Sequence, residues 1–254
     1  MRILPSCSSP VFAGSTSTSF DCSDSFTQEE IVSFSKKVEK TLIYNLARVA
    51  IVGRVGRSPN HLPRGINFTH VAYWVYSRIK TADNNNVSGY KIYNLYQRRE
   101  ELNVSELVND FPIDYFSGVH ELKAGIVIPK PKVQKGVLDV ISSGAHRKLH
   151  NPKYSLVASP FTNLYQNCTG YVLDVLMSAL CGTDNMDQLK ANAKAYFTPQ
   201  TVHLSPLNIL LGRIFFEDFT TLDHKGAIET ATFTTLSKFM HKYDLALKTV
   251  LVEQ

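Results

Sequence analysis

The sequence predicts a single α+β domain in which a small antiparallel sheet is flanked by helices at both ends of the domain. Two observations support this class. The 254 residues are 44% hydrophobic, which is enough to bury one large core. Hydrophobic residues follow a helical period near both ends and an alternating, β-branched pattern between them, without an internal repeat or linker. We therefore assign residues 1–26 to a tail and residues 27–254 to one domain.

The domain opens with a helix whose start is marked by a capping box. Thr27 is the cap, and Glu30 lies three residues later, where its side chain can return to the backbone of the cap. The apolar residues that follow recur at helical spacing and form one stripe: Ile31, Phe34, Val38 and Leu42.

Strands follow this helix. Residues 48–55 alternate and are β-branched, and glycines mark their end. Two further segments are aromatic and β-branched and are separated by a polar Asp-Asn turn, which predicts a hairpin. The predicted strands cover residues 48–55, 68–76, 90–97 and 124–128. Residues 107–116 mix apolar and acidic side chains around Pro112 and predict no element.

Helices return in the second half of the chain. One of them begins near Cys168 and ends at Gly182, a glycine well placed to stop a helix, and we expect it to pack on the sheet. The other predicted helices cover residues 133–141, 184–195 and 232–242, with a short apolar piece at 207–211.

The N-terminal tail resembles a processed segment. Residues 1–26 are rich in Ser and Thr and lack a hydrophobic period. Val11–Ala13 places a β-branched and a small residue at the −3 and −1 positions of a signal-peptidase cut before Gly14, although the apolar region that precedes such a cut is missing. We expect a periplasmic or secreted protein that begins near Gly14; the alternative is a plain flexible tail.

Composition excludes several functions. The 27 basic and 22 acidic residues give a net charge of +5, but the basic residues are scattered rather than clustered, which argues against nucleic-acid binding. No stretch of about 18 uninterrupted apolar residues predicts a transmembrane helix. No cysteine pair has C-x-x-C spacing, and His146 and His150 lack the glutamate of a zinc-protease motif. We predict neither a metal nor a cofactor.

Cys168 and His70 are the residues most suited to chemistry. A cysteine in the first turn of a helix feels the positive end of the helix dipole, which favours the thiolate. His70 interrupts an apolar strand, where an unpaired imidazole would be costly, so it should have a partner. The polar side chains of Tyr165, Gln166 and Asn167 crowd the helix entrance as candidate oxyanion or substrate-binding groups. The alternative is an inert core cysteine and a structural histidine.

Five separated motifs resemble a bacterial family catalogued as domain of unknown function 2145. They recur in the same order, and the resemblance extends from about residue 22 to the end of the chain. The motifs are Arg54–Arg57 (RVGR), Phe68–Val71 (FTHV), Ile92–Gln97 (IYNLYQ), Tyr165–Thr169 (YQNCT) and Leu189–Ala193 (LKANA).

This family in turn resembles the circularly permuted papain-like enzymes, the relatives of NlpC peptidases and of lecithin–retinol acyltransferase. Here the histidine strand precedes the cysteine helix, as in the permuted group. The resemblance implies that Cys168 is the nucleophile, that His70 is the base, and that Asn94, or Gln97 in its place, orients the imidazole. Acidic residues expected just after the cysteine are replaced here by Gly170.

The resemblance implies a thiol hydrolase or acyltransferase that cleaves an amide or ester through a cysteine acyl-enzyme. For an exported enzyme, we expect a peptide, peptidoglycan or acyl-ester substrate and an envelope peptidase or amidase activity. A charged His70 should hold the pKa of Cys168 well below that of a free cysteine. The alternative is a non-catalytic binding module of the envelope that keeps the papain-like shell. We expect Asp223 and His224 to form a surface turn.

Overall fold

The computed structural model describes residues 26–58, 62–81, 83–203 and 219–254. Nearly all of the predicted tail and the apolar piece at 207–211 lie outside these residues. The strands are β1 (Val49–Val55), β2 (His70–Lys80), β3 (Asn86–Gln97), β4 (Ser105–Asp110), β5 (Glu121–Pro129), β6 (Gln200–Thr201), β7 (Glu229–Thr230) and β8 (Ala246–Glu253). The helices are α1 (Gln28–Tyr44), α2 (Pro112–Phe116), α3 (Pro131–Ser142), α4 (Ala145–Lys148), α5 (Cys168–Cys181), α6 (Met186–Tyr196) and α7 (Phe233–Lys242).

Six strands form one antiparallel sheet in the order β4-β3-β2-β1-β5-β8, and β6 pairs with β7 separately. Helices cover both faces. One hydrophobic cluster joins α1 and α2 to the sheet, and a larger one joins α3, α5, α6 and α7 to the opposite face. The mixed α+β class with an antiparallel sheet is therefore confirmed, and none of the helices among the described residues has the length and hydrophobicity to span a bilayer.

Strand β1 shows why the centre of the sheet is continuously apolar in sequence. Val49 and Ile51 belong to the cluster beneath α5, whereas Ala50 and Val52 belong to the cluster beneath α1. All seven residues of β1 are buried, since side chains on both faces meet a helical layer. The same two layers also bury polar residues at the strand ends, such as Arg54 at the end of β1 and His70 at the start of β2.

The boundary signals read from the sequence are also present. Thr27 accepts a hydrogen bond from the Glu30 amide at 3.2 Å, and the Glu30 carboxylate accepts from the Thr27 amide at 2.7 Å, which completes the capping box. Gly182 ends α5 with φ of 66°, a conformation that favours glycine. The predicted hairpin is β2–β3.

Strand β8 and the segment 107–116 are among the parts of the fold that were missed, as are α4 and the pair β6–β7. Strand β8 was not predicted because it lies at the sheet edge, where Leu247 and Leu251 remain exposed and the alternating pattern is lost. The unassigned segment 107–116 contains most of β4 and the single-turn helix α2, which starts at Pro112. One helical turn is too short to show a hydrophobic period.

A buried ion pair fastens α6 to α5. The Lys190 ammonium lies 2.7 Å and 2.8 Å from the two carboxylate oxygens of Asp174, and the Gln166 amide donates to the same carboxylate at 2.8 Å. The side chains of Lys190 and Asp174 are 9% and 1% exposed. Burial raises the pKa of Asp174, and Lys190 opposes that rise. Removing the lysine would leave a buried, poorly compensated carboxylate.

We expect Lys190→Met to lower the free energy of unfolding by about 3–5 kcal/mol, and the melting temperature by on the order of 10 °C. The loss should grow from pH 5 to pH 8. Without Lys190 the pKa of the folded Asp174 rises further, so the folded state either keeps a proton that the unfolded chain releases or buries an unpaired carboxylate, and both cost more as the pH rises. Thermal melts followed by circular dichroism measure both effects. Lys148→Met is the matched control, since its partner Asp184 at 2.9 Å is a surface group. Equal melting temperatures for the two variants would contradict this account.

Candidate active site

The first turn of α5 packs against the first residues of β2. These residues precede the Tyr73–Tyr93 pair, where β2 begins to pair with β3. Before it, the amide of Val71 donates a hydrogen bond to the sulfur of Cys168. Two residues further along β2, the Tyr73 hydroxyl donates to the carbonyl of Val172 on α5 at 2.9 Å. The helix N-terminus is therefore held directly against the start of the histidine strand.

Cys168 is the first residue of α5. Asn167 caps the helix, and its side-chain oxygen accepts from the Gly170 amide at 2.8 Å. The Cys168 sulfur also lies 3.8 Å from the Thr169 hydroxyl and accepts from the Thr169 amide. The residue is only 8% exposed. The backbone amides of a first helical turn have no intrahelical acceptor, and here the cap takes that of Gly170, so the amide of Cys168 itself is the donor for an anion at this point.

Cys168 and His70 line one cavity of about 140 Å³. Its wall comes from β2, β3, the first turn of α5 and the loops around residues 62–66, 154–157 and 230–232. Most of the wall is apolar, and Arg57 is the charged residue among the lining residues that the structure describes. The apolar lining residues are Leu62, Pro63, Ile66, Phe68, Leu95, Tyr154, Leu156, Val157, Val202 and Ala231.

A chain of buried hydrogen bonds extends from His70 away from the cavity. His70 Nε2 lies 2.9 Å from the side-chain oxygen of Asn94. The Asn94 amide nitrogen donates to Asp110 Oδ2 at 3.1 Å, and the Tyr96 hydroxyl donates to the same oxygen at 2.6 Å. The imidazole also stacks on the Tyr96 ring, with centroids 4.8 Å apart. His70 thus has the partner that its apolar strand requires.

Arg54 places a buried positive charge beside this chain. It pairs with His70 across β1 and β2, is 3% exposed, and donates to the carbonyl of Tyr115. Its guanidinium carbon lies 4.8 Å from the Tyr115 ring centroid and 5.7 Å from that of Tyr96, at cation–π distance. Its charge acts on both His70 and Cys168.

The electrostatics correct the expected charge state of the pair. Burial and the neighbouring Arg54 guanidinium lower the pKa of His70 to about 3. Burial raises the pKa of Cys168, against the opposing effect of hydrogen bonds and Arg54. The resting site therefore holds a neutral imidazole and a thiol, and the expected thiolate–imidazolium pair is wrong. Two charges in a dry site lose more hydration than the helix dipole returns.

The structure separates the candidate third residues and the polar residues at the helix entrance. Asn94 contacts His70, whereas Gln97 lines the cavity and donates to the Leu102 carbonyl at 2.7 Å. The Asn167 amide donates to the Leu156 carbonyl at 3.0 Å and to the Thr230 hydroxyl at 3.1 Å. Its hydrogens are therefore committed to loops that form the cavity wall.

Gln166 and Tyr165 are not oxyanion donors in this arrangement. The Gln166 amide donates to the Leu149 carbonyl at 2.9 Å and to Asp174, and its oxygen accepts from the Asn151 amide at 2.9 Å. Tyr165 is half-buried and lies outside the cavity wall. The structure thus places both residues outside the cavity wall, since polar residues before a helix also hold the loop that enters it.

Sequence reasoning missed Arg54, Tyr96 and Asp110. The first two lie within the family motifs and alternate with apolar residues on their strands, which was the available signal. Asp110 ends β4, in the segment without a predicted element. Its contact with Asn94 depends on the β3–β4 register, which a single sequence does not reveal.

Asp223 and His224 lie in a turn, as expected, but their side chains are buried, so the expected surface location is wrong. Asp223 accepts from the Ser159 amide at 2.7 Å, and His224 Nε2 lies 2.9 Å from the Val157 carbonyl. A turn closed by the His224 amide and the Thr221 carbonyl lets the two adjacent side chains meet at 3.3 Å. The pair braces the loop that carries Val157 into the cavity wall.

These features define a class of α+β protein in which a cysteine at a helix N-terminus and a strand histidine share an apolar cavity. The chain belongs to the family DUF2145, described as an uncharacterized protein conserved in bacteria, whose model matches residues 41–240. The matched range includes His70, Asn94, Asp110 and Cys168. No curated protein and no solved structure matches the chain.

The charge state of Cys168 predicts how it reacts with iodoacetamide. The alkylation rate should rise with pH along a titration curve whose midpoint lies above that of an ordinary exposed thiol, because the folded site raises its pKa. Peptide-level mass spectrometry between pH 6 and pH 10 measures this midpoint for each cysteine. Cys181, which is exposed, is the internal reference. A midpoint for Cys168 near pH 6 would contradict the neutral pair.

Proposed function

We propose that this protein is a thiol hydrolase or acyltransferase that acts on an amide or ester through an acyl-enzyme on Cys168. The observation that supports this most is the arrangement of three side chains. Cys168 and His70 line the same cavity, and His70 is held from behind by Asn94 at 2.9 Å. This is the logic of a nucleophile, a base and a residue that orients the base.

The reaction follows from the neutral resting state. As the Cys168 sulfur attacks the substrate carbonyl, its proton passes to His70, so charge develops only in the transition state. His70 then returns the proton to the leaving amine or alcohol as the C–N or C–O bond breaks. Attack of water on the thioester gives a hydrolase, and attack of another acceptor gives a transferase. The backbone amide of Cys168 at the start of α5 is the donor for the oxyanion.

Arg54 gives this reaction an electrostatic advantage. Its guanidinium favours the thiolate form of Cys168 and disfavours the imidazolium form of His70. The buried cation therefore stabilises negative charge on the sulfur or the adjacent oxyanion and keeps the resting His70 neutral, although it also makes His70 a weaker base. In this proposal Arg54 stabilises the thiolate and a neutral His70 accepts the proton, whereas other thiol enzymes hold a permanent thiolate–imidazolium pair.

We extend the proposal to a circularly permuted papain-like fold. The supporting features are the packing of α5 against the antiparallel sheet and the position of His70 at the start of a strand of that sheet. His70 precedes Cys168 in the chain, which is the permuted order.

The substrate we propose carries an apolar group beside the scissile carbonyl, because most of the cavity wall is apolar. A peptide, a peptidoglycan stem peptide or an acyl ester satisfies this condition. We further propose that the protein acts in the bacterial envelope as a peptidase or amidase, after export to the periplasm or the medium.

A non-catalytic binding module is the second candidate, and burial is the observation that favours it. Cys168 and His70 are 8% and 2% exposed, and the cavity of about 140 Å³ is small. A module of this kind would use the apolar cavity to hold a ligand side chain and would retain the cysteine as a core residue.

Acylation by p-nitrophenyl butyrate separates these two candidates. At pH 7.5 we expect one butyryl group on Cys168, detected by intact and peptide mass spectrometry. Cys168→Ala should abolish this adduct, and His70→Ala should slow its formation by about 100-fold or more, since a general base contributes at least that factor. Cys181→Ala is the control and should change nothing.

Alkylation of His70→Ala at pH 10 shows whether its Cys168 is still reactive, so that slow acylation can be assigned to the loss of the base. At pH 10 a larger fraction of Cys168 is thiolate than at pH 7.5 without any proton transfer to His70, so a folded His70→Ala should still react with iodoacetamide. An acylation rate in His70→Ala equal to that of the wild type would establish the binding module instead.

The proposed location has its own test. Osmotic-shock fractions from the native bacterium should contain the protein outside the cytoplasm, with an intact mass that corresponds to a chain beginning near Gly14. A cytoplasmic protein that retains Met1 would refute export.

A further inference from the structure

Asp110 stands behind the proposed site, two hydrogen bonds from the base. It is 1% exposed, and its carboxylate accepts from the Asn94 amide nitrogen at 3.1 Å and from the Tyr96 hydroxyl at 2.6 Å, both on Oδ2. Its other oxygen, Oδ1, is buried without a hydrogen-bond partner among the described residues. Burial of a carboxylate with one unsatisfied oxygen costs stability, so its presence needs a reason beyond packing.

We infer that Asp110 is a positioning residue that sets the orientation of the Asn94 amide and, through it, decides which nitrogen of His70 carries the proton. This inference rests on the proposed function for its catalytic consequence. The inference about the proton does not depend on it, because the proton on His70 can be observed without any substrate.

The argument starts from what each group can do in a hydrogen bond. An ionised carboxylate only accepts, so Asn94 must present its NH₂ group to Asp110. The Asn94 oxygen then faces His70 Nε2 at 2.9 Å, and an amide oxygen also only accepts. His70 must therefore carry its proton on Nε2, and the lone pair is left on Nδ1. With Nε2 bonded to Asn94, Nδ1 is the nitrogen left to take the proton of Cys168 in the proposed reaction.

The opposite orientation of Asn94 would disable the base. If the amide turned over, its NH₂ group would donate to Nε2, and the proton of the neutral imidazole would move to Nδ1. No lone pair would then be available for the thiol. The required charge states hold at pH 7.5, since the pKa of Asp110 is raised by burial only to about 6 and that of His70 is lowered by burial to about 3.

Asp110→Asn tests this inference at nearly constant size. An asparagine at position 110 offers both a donor and an acceptor, so both orientations of Asn94 become possible. At pH 7.5, ¹⁵N–¹H NMR of the histidine rings should show Nε2–H for His70 in the wild type and a mixture of the two tautomers in the variant. Acylation of Cys168 by p-nitrophenyl butyrate should fall by about 10- to 100-fold, the range typical of partners that orient a functional imidazole.

Two further variants separate positioning from simple stabilisation. Tyr96→Phe removes the other hydrogen bond to the same carboxylate oxygen and should leave the Nε2–H tautomer, because the Asp110 carboxylate still accepts from the Asn94 amide. The double variant Asn94→Asp with Asp110→Asn exchanges the two side chains. The carboxylate now faces His70 directly and accepts from Nε2, so the exchange should restore the tautomer and most of the rate.

The outcomes are distinct. If Asp110→Asn keeps both the Nε2–H tautomer and the wild-type rate, Asp110 is only structural and the inference fails. If Asp110→Asn does not fold, the double variant Asn94→Asp with Asp110→Asn provides the test. A His70 ring with its proton on Nδ1 in this double variant overturns the inference. If the wild type never forms an acyl-enzyme, the proposed function fails, while the tautomer comparison still tests the role of Asp110.

Discussion

The packing of α5 against the beginning of β2 is the constraint on which the site depends. Where β2 does not yet pair with β3, the Val71 backbone lies against the Cys168 sulfur in place of β3. The Tyr73 hydroxyl then secures the next turn of the helix. Helix α5 carries Cys168 and strand β2 carries His70. The hydrophobic core between α5 and β2 therefore fixes the position of the two residues relative to each other.

Burial is the second determinant, because it keeps both Cys168 and His70 uncharged at rest. The helical layers on both faces of the sheet keep His70, Asn94, Asp110 and Arg54 almost completely from water. In such surroundings a permanent thiolate–imidazolium pair is more expensive than a thiol beside a neutral imidazole. The buried guanidinium of Arg54 is the group that stabilises a negative charge on the Cys168 sulfur.

Polar residues around the helix entrance mainly secure the structure. Gln166 and Lys190 satisfy the buried Asp174 on α5, and Asn167 caps the same helix while holding two loops of the cavity wall. These contacts hold the first turn of α5, and with it Cys168, in place. The position of the cysteine is thus maintained by the same interactions that stabilise α5, so folding and the geometry of the site are coupled.

Local patterns in the sequence determined the elements and the candidate pair: the capping box at Thr27, the hairpin strands, the helix from Cys168 to Gly182 and the unusual histidine in an apolar strand. These signals are local because hydrophobic period, caps and turns act over a few residues. Only the tertiary structure decided the charge of the pair and the contact of Asn94 with Asp110. Both depend on burial and strand register, which arise from residues distant in the chain.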